Sequence, residues 1–224
     1  MRPGQCANLV ESYKGWPGPL LFATACSPRS WLTAMTAVGL VGGSLAITRT
    51  TDTVWQPQMP VSRLGLDTGA AGILTVTLLG LGFILLALGI SLERTFASLR
   101  SAGRLGPRAE WLLTLGFLVA GVAVSLTGLF RIDGGVSLVI HNLAGFTIPI
   151  ALMTTVVSAR LALGGLGRRF DRMSAVILAS IVLLFVAADQ AHLLPYALME
   201  LTCFALIGAW LWLFEARLRR LIGE

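Results

Sequence analysis

Charged side chains are scarce in this chain. They make up 12% of its 224 residues, whereas 55% of the residues are hydrophobic, and the mean hydropathy is +0.80. A water-soluble domain cannot cover that much apolar surface, so the composition indicates an integral membrane protein. The net charge of +6 comes from arginines in short clusters between long apolar runs, and this pattern argues against nucleic acid as a partner.

Residues and motifs of common enzyme chemistry are also few. The chain contains only two histidines, and its three cysteines do not follow a metal-ligand spacing, so we interpret the cysteines as free thiols. It lacks a Walker-type glycine loop, a G-x-S-x-G elbow and an H-E-x-x-H pair. These absences argue against ATP-driven work by this chain alone.

Six apolar segments come close to the length that crosses a membrane. A crossing helix needs about 20 residues for a hydrocarbon core of roughly 30 Å. The sequence therefore predicts an all-α, polytopic bundle of six transmembrane helices over residues 31–214, preceded by a cytoplasmic or interfacial segment (1–30) and followed by a basic tail (215–224). The predicted helices are Trp31 to Ile47, Gly69 to Leu92, Trp111 to Phe130, Val136 to Ala159, Met173 to Ala191 and Pro195 to Phe214.

Lysine and arginine fall in alternate loops between these segments. Fourteen of them lie before helix 1, between helices 2 and 3, between helices 4 and 5, and after helix 6. The other side carries three, Arg49, Arg63 and Arg131. Positive residues are retained on the cytoplasmic side, so we predict that both termini are cytoplasmic and that the protein lies in the cell membrane.

Glycines inside the spans predict close helix packing. Small residues let helix backbones approach where lipid gives no hydrophobic drive to associate. We expect these glycines to pack within one bundle, with a homodimer seam as the alternative. They include Gly39, Gly43, Gly80, Gly82 and Gly89.

Polar residues concentrate at the predicted outer ends of helices 4, 5 and 6, and the cytoplasmic halves of the spans carry no comparable set. His141, Asp189, His192 and Glu200 occupy these positions. An ionised residue costs about 2.5–3.5 kcal/mol at the centre of a span, so such residues are expected to be paired or to line a water-filled cavity. Short connections favour helices 4, 5 and 6 as neighbours, which would let the four residues converge.

Local spacing suggests how the polar residues are paired. Asp189 and His192 are three residues apart and share one face if helix 5 continues through them. Ser137 and His141 are four apart and share a face of helix 4, while Asn142 and Tyr196 supply further hydrogen-bonding groups.

Several interpretations of this cluster remain open. Each residue taken singly is compatible with a solvated helix end or with polar contacts that hold the bundle together. The cluster as a whole fits an outward-facing pocket for a lipid headgroup or small polar ligand, with Arg63 and Arg131 as donors. It also fits a metal-dependent hydrolase site, or a haem held between His141 and His192. A transporter would need a polar path to the cytoplasm, which the apolar inner halves do not provide.

The order of short motifs resembles a known family. Ser62-Arg63-Leu64-Gly65 lies in the first outer loop, Gly128 to Asp133 at the exit of helix 3, and His141-Asn142 near the start of helix 4. This pattern is similar to a bacterial family of six-helix membrane proteins of unknown function, related to the DRAM and FGF-receptor-activating-protein group. That family typically has an S-E-L-G run, a G-x-F-P-x-D run and a following histidine.

The resemblance covers residues 62–214 and implies a six-helix plasma-membrane protein with polar residues on its outer side, without an established reaction. It marks Ser62, Gly65, Asp133 and His141. Arg63 replaces the family's usual acid and Arg131 its usual proline, so chemistry that depends on that acid is not expected here.

The preferred hypothesis is a non-enzymatic protein that binds or organises a lipid, a small ligand or a membrane partner, with membrane lipids and other membrane-protein subunits as partners and no assigned cofactor. An intramembrane hydrolase is the alternative, and a haem or transport protein ranks below both. The candidate ligand-binding residues are Ser62, Arg63, Arg131, Asp133, His141, Asp189, His192 and Glu200.

Overall fold

Helices account for almost all of the described chain. The computed structural model describes residues 27–50, 59–130, 132, 134–163, 167–190 and 192–222, of which residues 189, 190 and 222 are described by their backbone alone. These residues contain a short 3-10 helix, Val61–Leu66, and one π-helical turn, Val186–Gln190, which extends the fifth long helix. Their six long helices are α1 (Pro28–Thr48), α2 (Ala71–Ser101), α3 (Pro107–Leu129), α4 (Gly135–Ala162), α5 (Arg168–Phe185) and α6 (Tyr196–Ile222).

The six described helices are all long and apolar enough to cross a membrane, and the described residues contain no strand. The predicted all-α, six-helix transmembrane architecture is thereby confirmed. Several helices are longer than predicted. Thus α2 continues to Ser101 rather than Leu92, and α6 to Ile222 rather than Phe214. Hydropathy detects the part of a helix that lies in hydrocarbon, whereas arginine, a good helix former, carries the same helix into the polar interface.

The structure describes the predicted C-terminal tail but little of the predicted N-terminal segment. Residues 1–26 of the predicted N-terminal segment lie outside the described residues, and Pro28 already begins α1. Residues 215–222 of the predicted basic tail form the last two turns of α6.

The bundle has two distinct ends. The arginine end contains the first turns of α1, α3 and α5 and the last turns of α6. It also contains the arginine-rich connections. At the histidine end, α2, α4 and α6 begin, with His141 near the start of α4. Whichever leaflet each end faces, the helix directions put these two sets of groups on opposite sides of the membrane.

Helix packing follows chain order over most of the molecule. α2, α3 and α4 pack side by side, and α1 packs on α2. α6 contacts α1, α2 and α5, whereas α4 makes its main contact with α3 and only a slight one with α5. Short connections therefore bring α5 against α6, but they do not make α4, α5 and α6 a closely packed trio.

The contact between α2 and α3 depends on glycine. A Cβ atom placed on Gly82 would lie 2.1 Å from Oγ of Ser125 and 2.7 Å from the carbonyl oxygen of Gly121. A Cβ on Gly121 would in turn lie 2.8 Å from the carbonyl oxygen of Gly82. The two backbones approach so closely that neither position has room for a side chain. At this seam, the predicted role of Gly82 in packing within one bundle is confirmed.

Aromatic side chains join α5 and α6 near the arginine end. Trp210 stacks on Phe214, with ring centroids 4.9 Å apart and planes 11° apart, and Phe170 of α5 lies 6.0 Å from Trp210. The indole N–H of Trp210 donates to Oγ of Ser174 at 2.9 Å. This bond satisfies two buried polar groups, so α5 is held to α6 by both packing and a specific hydrogen bond.

The arginine end also contains carboxylates, although the sequence predicted embedded polar residues mainly at the opposite end. Glu215 is 5% exposed and pairs with Arg219 one turn later, and Glu110 pairs with Arg100 at 3.0 Å. Both carboxylates lie one residue outside the predicted spans. The observed helices are longer and include both carboxylates. Acidic groups are therefore shielded from solvent near both ends of the bundle.

Candidate functional site

The 3-10 helix lies against the histidine end of the bundle. It contacts α2 and α6, and its Leu64 is fully buried. Ser62 and Gly65, two residues marked by the family resemblance, lie on this helix. A short segment between α1 and α2 thus brings candidate residues next to α6, which is distant in sequence.

Asp67 fixes the junction between the 3-10 helix and α2. Its Oδ1 accepts hydrogen bonds from the backbone N–H groups of Gly69 at 2.8 Å and Ala70 at 3.0 Å, and the residue is 1% exposed. A buried carboxylate at a helix start satisfies N–H groups that lack helical partners. An aspartate just before an apolar helical run is a typical helix-start signal in a sequence.

Glu200 connects α6 to the 3-10 helix. Its Oε2 accepts a hydrogen bond from the backbone N–H of Val61 at 2.6 Å, across 139 residues of sequence. This N–H lies at the start of the 3-10 helix, where it has no helical partner of its own. The bond gives Glu200 a structural partner and holds the 3-10 helix to the bundle.

His141 lies in the second turn of α4 and is buried. Its Nδ1 is 2.7 Å from the carbonyl oxygen of Phe130, which ends α3. A carbonyl only accepts, so Nδ1 carries the proton in this bond. In a neutral ring this leaves Nε2 as an acceptor, so Nε2 can accept a hydrogen bond from a ligand.

A small cavity brings the motif residues together. We name it the histidine cavity; it is about 10 Å³ of space for the centre of a water molecule, near the lower limit for one water. Its lining combines residues of the 3-10 helix, α2, α3 and α4. They are Ser62, Gly65, Leu74, Thr75, Leu78, Thr127, Gly128, Phe130 and His141.

A larger groove runs along α3 and α4. Its volume is about 430 Å³, and its lining is apolar except for Thr147, whose hydroxyl donates to the carbonyl oxygen of Leu143 at 2.7 Å. Val122 and Leu143 at its rim are exposed, at 49% and 68%. The groove therefore offers a ligand apolar contacts, and its one polar side chain already donates a hydrogen bond within α4.

The other candidate residues do not line this cavity or lie outside the described residues. Arg63 is exposed, and its guanidinium contacts Sδ of Met59 at 3.5 Å. Arg131, Asp133 and the side chain of Asp189 lie outside the described residues. Ser62 and His141 therefore line one cavity, and Glu200 lies at the start of the 3-10 helix that supplies Ser62.

The predicted shared face of Asp189 and His192 is wrong. The helical turns end at Gln190, and His192 is exposed with a φ of 51°. The N–H of Leu193 donates to the carbonyl oxygen of Ala187 at 2.8 Å, so this bond spans the left-handed residue and closes the π-helical turn. His192 thus occupies a helix-ending position rather than the face of a continuing helix.

Replacing His192 with glycine is expected to stabilise the protein by about 0.5–1 kcal/mol, because glycine adopts a left-handed backbone without steric cost. Thermal unfolding in nanodiscs should show a melting temperature about 1–4 °C higher. His192→Ala removes the same imidazole without relieving the backbone, so it is the matched control and should not exceed the wild type. A glycine variant less stable than the alanine variant would contradict this assignment.

Metal and haem sites gain no support from the described residues. In that part of the chain, no group of three or more His, Cys, Asp or Glu side chains is placed to hold a metal ion. His192 does not contribute to the cavity that His141 lines. Protein-family models, curated proteins and solved structures contain no match to this chain, so the resemblance to the DRAM-related family stays a prediction.

Proposed function

We propose that this chain is a multi-pass cell-membrane protein that binds a lipid of the outer leaflet at its histidine end. The lipid's acyl chain lies in the groove between α3 and α4, and its polar part reaches the edge of the histidine cavity. Binding, rather than chemical conversion, is the function that we propose.

One observation carries this proposal: the groove and the histidine cavity are adjacent on the same pair of helices. Leu126 lines the groove and Thr127 the cavity, and Ile140 lines the groove and His141 the cavity. A ligand with both an apolar and a polar part fits this arrangement better than a small polar ligand, because the cavity alone has room for little more than a water molecule.

The groove favours an acyl chain over a soluble ligand. Apolar cavities stay free of water, and in a bilayer the surrounding medium at this depth is hydrocarbon. From Leu115 to Leu126 the groove follows α3 for about 16 Å, which approximates the roughly 15 Å depth of one leaflet. One acyl chain of one leaflet therefore matches the groove in length and polarity.

The proposed orientation rests on the arginine distribution. Fourteen of the 17 basic residues belong to the arginine end and its flanking segments, which the positive-inside rule assigns to the cytoplasm. The histidine end then faces outward and both termini face inward. Arg131 and Asp133 remain proposed headgroup-binding residues from the sequence, and other membrane-protein subunits remain proposed partners.

Photo-crosslinking tests the proposed lipid site. We expect a phospholipid with a diazirine at mid-chain, in nanodiscs with the full chain, to label residues 115–126 and 140–147 several-fold more than the exposed apolar residues of α5. Val122→Trp covers the groove rim and should reduce this labelling. Val176→Trp is the matched control, because Val176 is 63% exposed on α5, away from the groove.

The polar part is tested separately by lipid retention in native mass spectrometry. His141→Ala is expected to weaken retention of the same phospholipid about fivefold, the effect of about one lost hydrogen bond. Thr154→Val, an exposed polar change on α4 away from the cavity, should leave retention unchanged. Uniform labelling of all exposed apolar faces, with no effect of either Val122→Trp or His141→Ala, would overturn the proposed function.

A further inference from the structure

Three arginines project from one side of the first turns of α5. Arg168, Arg169 and Arg172 are exposed, whereas Phe170 between them is buried against the aromatic side chains of α6. At about 100° per residue, the three arginines fall within a sector of roughly 100°. They therefore point together, away from α6.

This arrangement is unfavourable for the helix itself. Arg168 and Arg172 are four residues apart, and Arg169 and Arg172 three apart, so like charges repel along one face. The beginning of a helix also carries a partial positive charge, which disfavours cations there. By contrast, Arg100 and Arg219 lie in last turns, where the helix dipole favours cations. An anion beside α5 would offset both costs.

Three other basic groups at the arginine end have partners within the protein. Arg100 pairs with Glu110 at 3.0 Å, Arg219 pairs with Glu215, and Arg104 donates to the carbonyl oxygen of Leu221 at 2.6 Å.

The described part of the chain provides no such partner for the arginines of α5. None of the three makes an ion pair or hydrogen bond there, and Oδ1 of the neighbouring Asp171 is buried without a hydrogen-bond partner. Arg160, exposed near the end of α4, adds a fourth guanidinium just before the connection to α5. The basic charge around the start of α5 is therefore not neutralised within the described structure.

We propose that Arg168, Arg169 and Arg172 bind the phosphate of an anionic phospholipid at the arginine end. The apolar run of α5 begins at Met173, so these guanidinium groups lie at headgroup depth, where the available anion is a lipid phosphate. Arginine binds phosphate through paired N–H donors, and basic clusters beside a membrane span bind acidic lipids. This site is at the opposite end of the bundle from the histidine cavity and does not depend on the proposed acyl-chain groove.

The test compares two triple variants of the full chain by native mass spectrometry with phosphatidylglycerol and with phosphatidylcholine of the same acyl chains. Each arginine near an acidic lipid surface strengthens binding about fivefold. We therefore expect Arg168→Gln, Arg169→Gln and Arg172→Gln together to weaken phosphatidylglycerol binding by about a hundredfold, with little change for phosphatidylcholine. Replacing Arg100, Arg104 and Arg108 with glutamine removes the same charge from the region where α2 ends and α3 begins, and should have a much smaller effect.

Unfolding of each variant in phosphatidylcholine nanodiscs confirms that it is folded. Equal loss in both triple variants would show a diffuse effect of net charge and would overturn the local site. Displacement of phosphatidylglycerol by millimolar inorganic phosphate would point to a soluble phosphate compound and would likewise overturn a lipid ligand. Loss of headgroup selectivity in the α5 variant, with diazirine labelling of the groove unchanged, would separate this site from the proposed function.

Discussion

Valine at position 82 is expected to lower the melting temperature of the protein by about 6–12 °C in nanodiscs. A Cβ alone on Gly82 would already lie 2.7 Å from the carbonyl oxygen of Gly121 and 2.1 Å from Oγ of Ser125. Backbone cannot give way as a flexible side chain can, so α2 and α3 must move apart. Overpacking costs about 1–3 kcal/mol, and a clash with backbone belongs at the top of that range, where about 2–4 °C per kcal/mol gives the expected shift.

Gly145→Val is the matched control for this experiment. Gly145 lies inside α4, and nothing stands within 4 Å of the position that its Cβ would take. The same substitution there should leave the melting temperature within about 2 °C of the wild type, as for other unhindered surface changes. Equal melting temperatures for the two variants would contradict the close backbone contact between α2 and α3.

Glu200→Leu is expected to increase hydrogen exchange at the amide of Val61 by about tenfold or more. The Val61 N–H donates to Oε2 of Glu200 at 2.6 Å, and leucine offers no acceptor. A hydrogen bond to a charged acceptor contributes about 1.5–3 kcal/mol, so its loss favours local opening of the 3-10 helix by a corresponding factor. Residue-resolved exchange by mass spectrometry, on the full chain in nanodiscs, measures this directly.

Glu200→Gln separates the hydrogen bond from the side-chain charge. Glutamine keeps a carbonyl oxygen that can accept from the Val61 N–H, so most of the protection should remain. The amides of Gly69 and Ala70, which donate to Asp67, serve as an internal reference and should exchange at unchanged rates in both variants. Unchanged exchange at Val61 in the leucine variant would show that Glu200 does not hold the 3-10 helix.

Hydropathy was sufficient to predict the number of helices, because each span is defined by local composition. It could not predict where α2 and α6 end, since Ser101 and Ile222 lie beyond the hydrocarbon, where helical structure depends on capping and packing. It also could not show that α4 packs chiefly on α3, because chain connectivity allows several arrangements of neighbouring helices.

The candidate site was predictable only in part, for a related reason. Motif order identified Ser62 and His141, and the structure places both on one cavity. The partner of Glu200 is a backbone N–H from another part of the chain, which no side-chain pattern reveals. The pairing of Asp189 with His192 assumed a continuous helix, whereas the left-handed backbone at His192 closes it first.

Helices that are adjacent in sequence make most of the contacts in the first part of the bundle, and this favours assembly during synthesis. α2, α3 and α4 bind neighbours that are adjacent in sequence, so this half of the bundle can assemble while the rest of the chain is still being synthesised. α6 emerges last and joins the distant 3-10 helix through the bond of Glu200 to Val61. The 3-10 helix beside His141 is therefore fixed in place only after α6 has been inserted. A chain truncated before α6 would enter the membrane without the bond that holds the 3-10 helix at the histidine end.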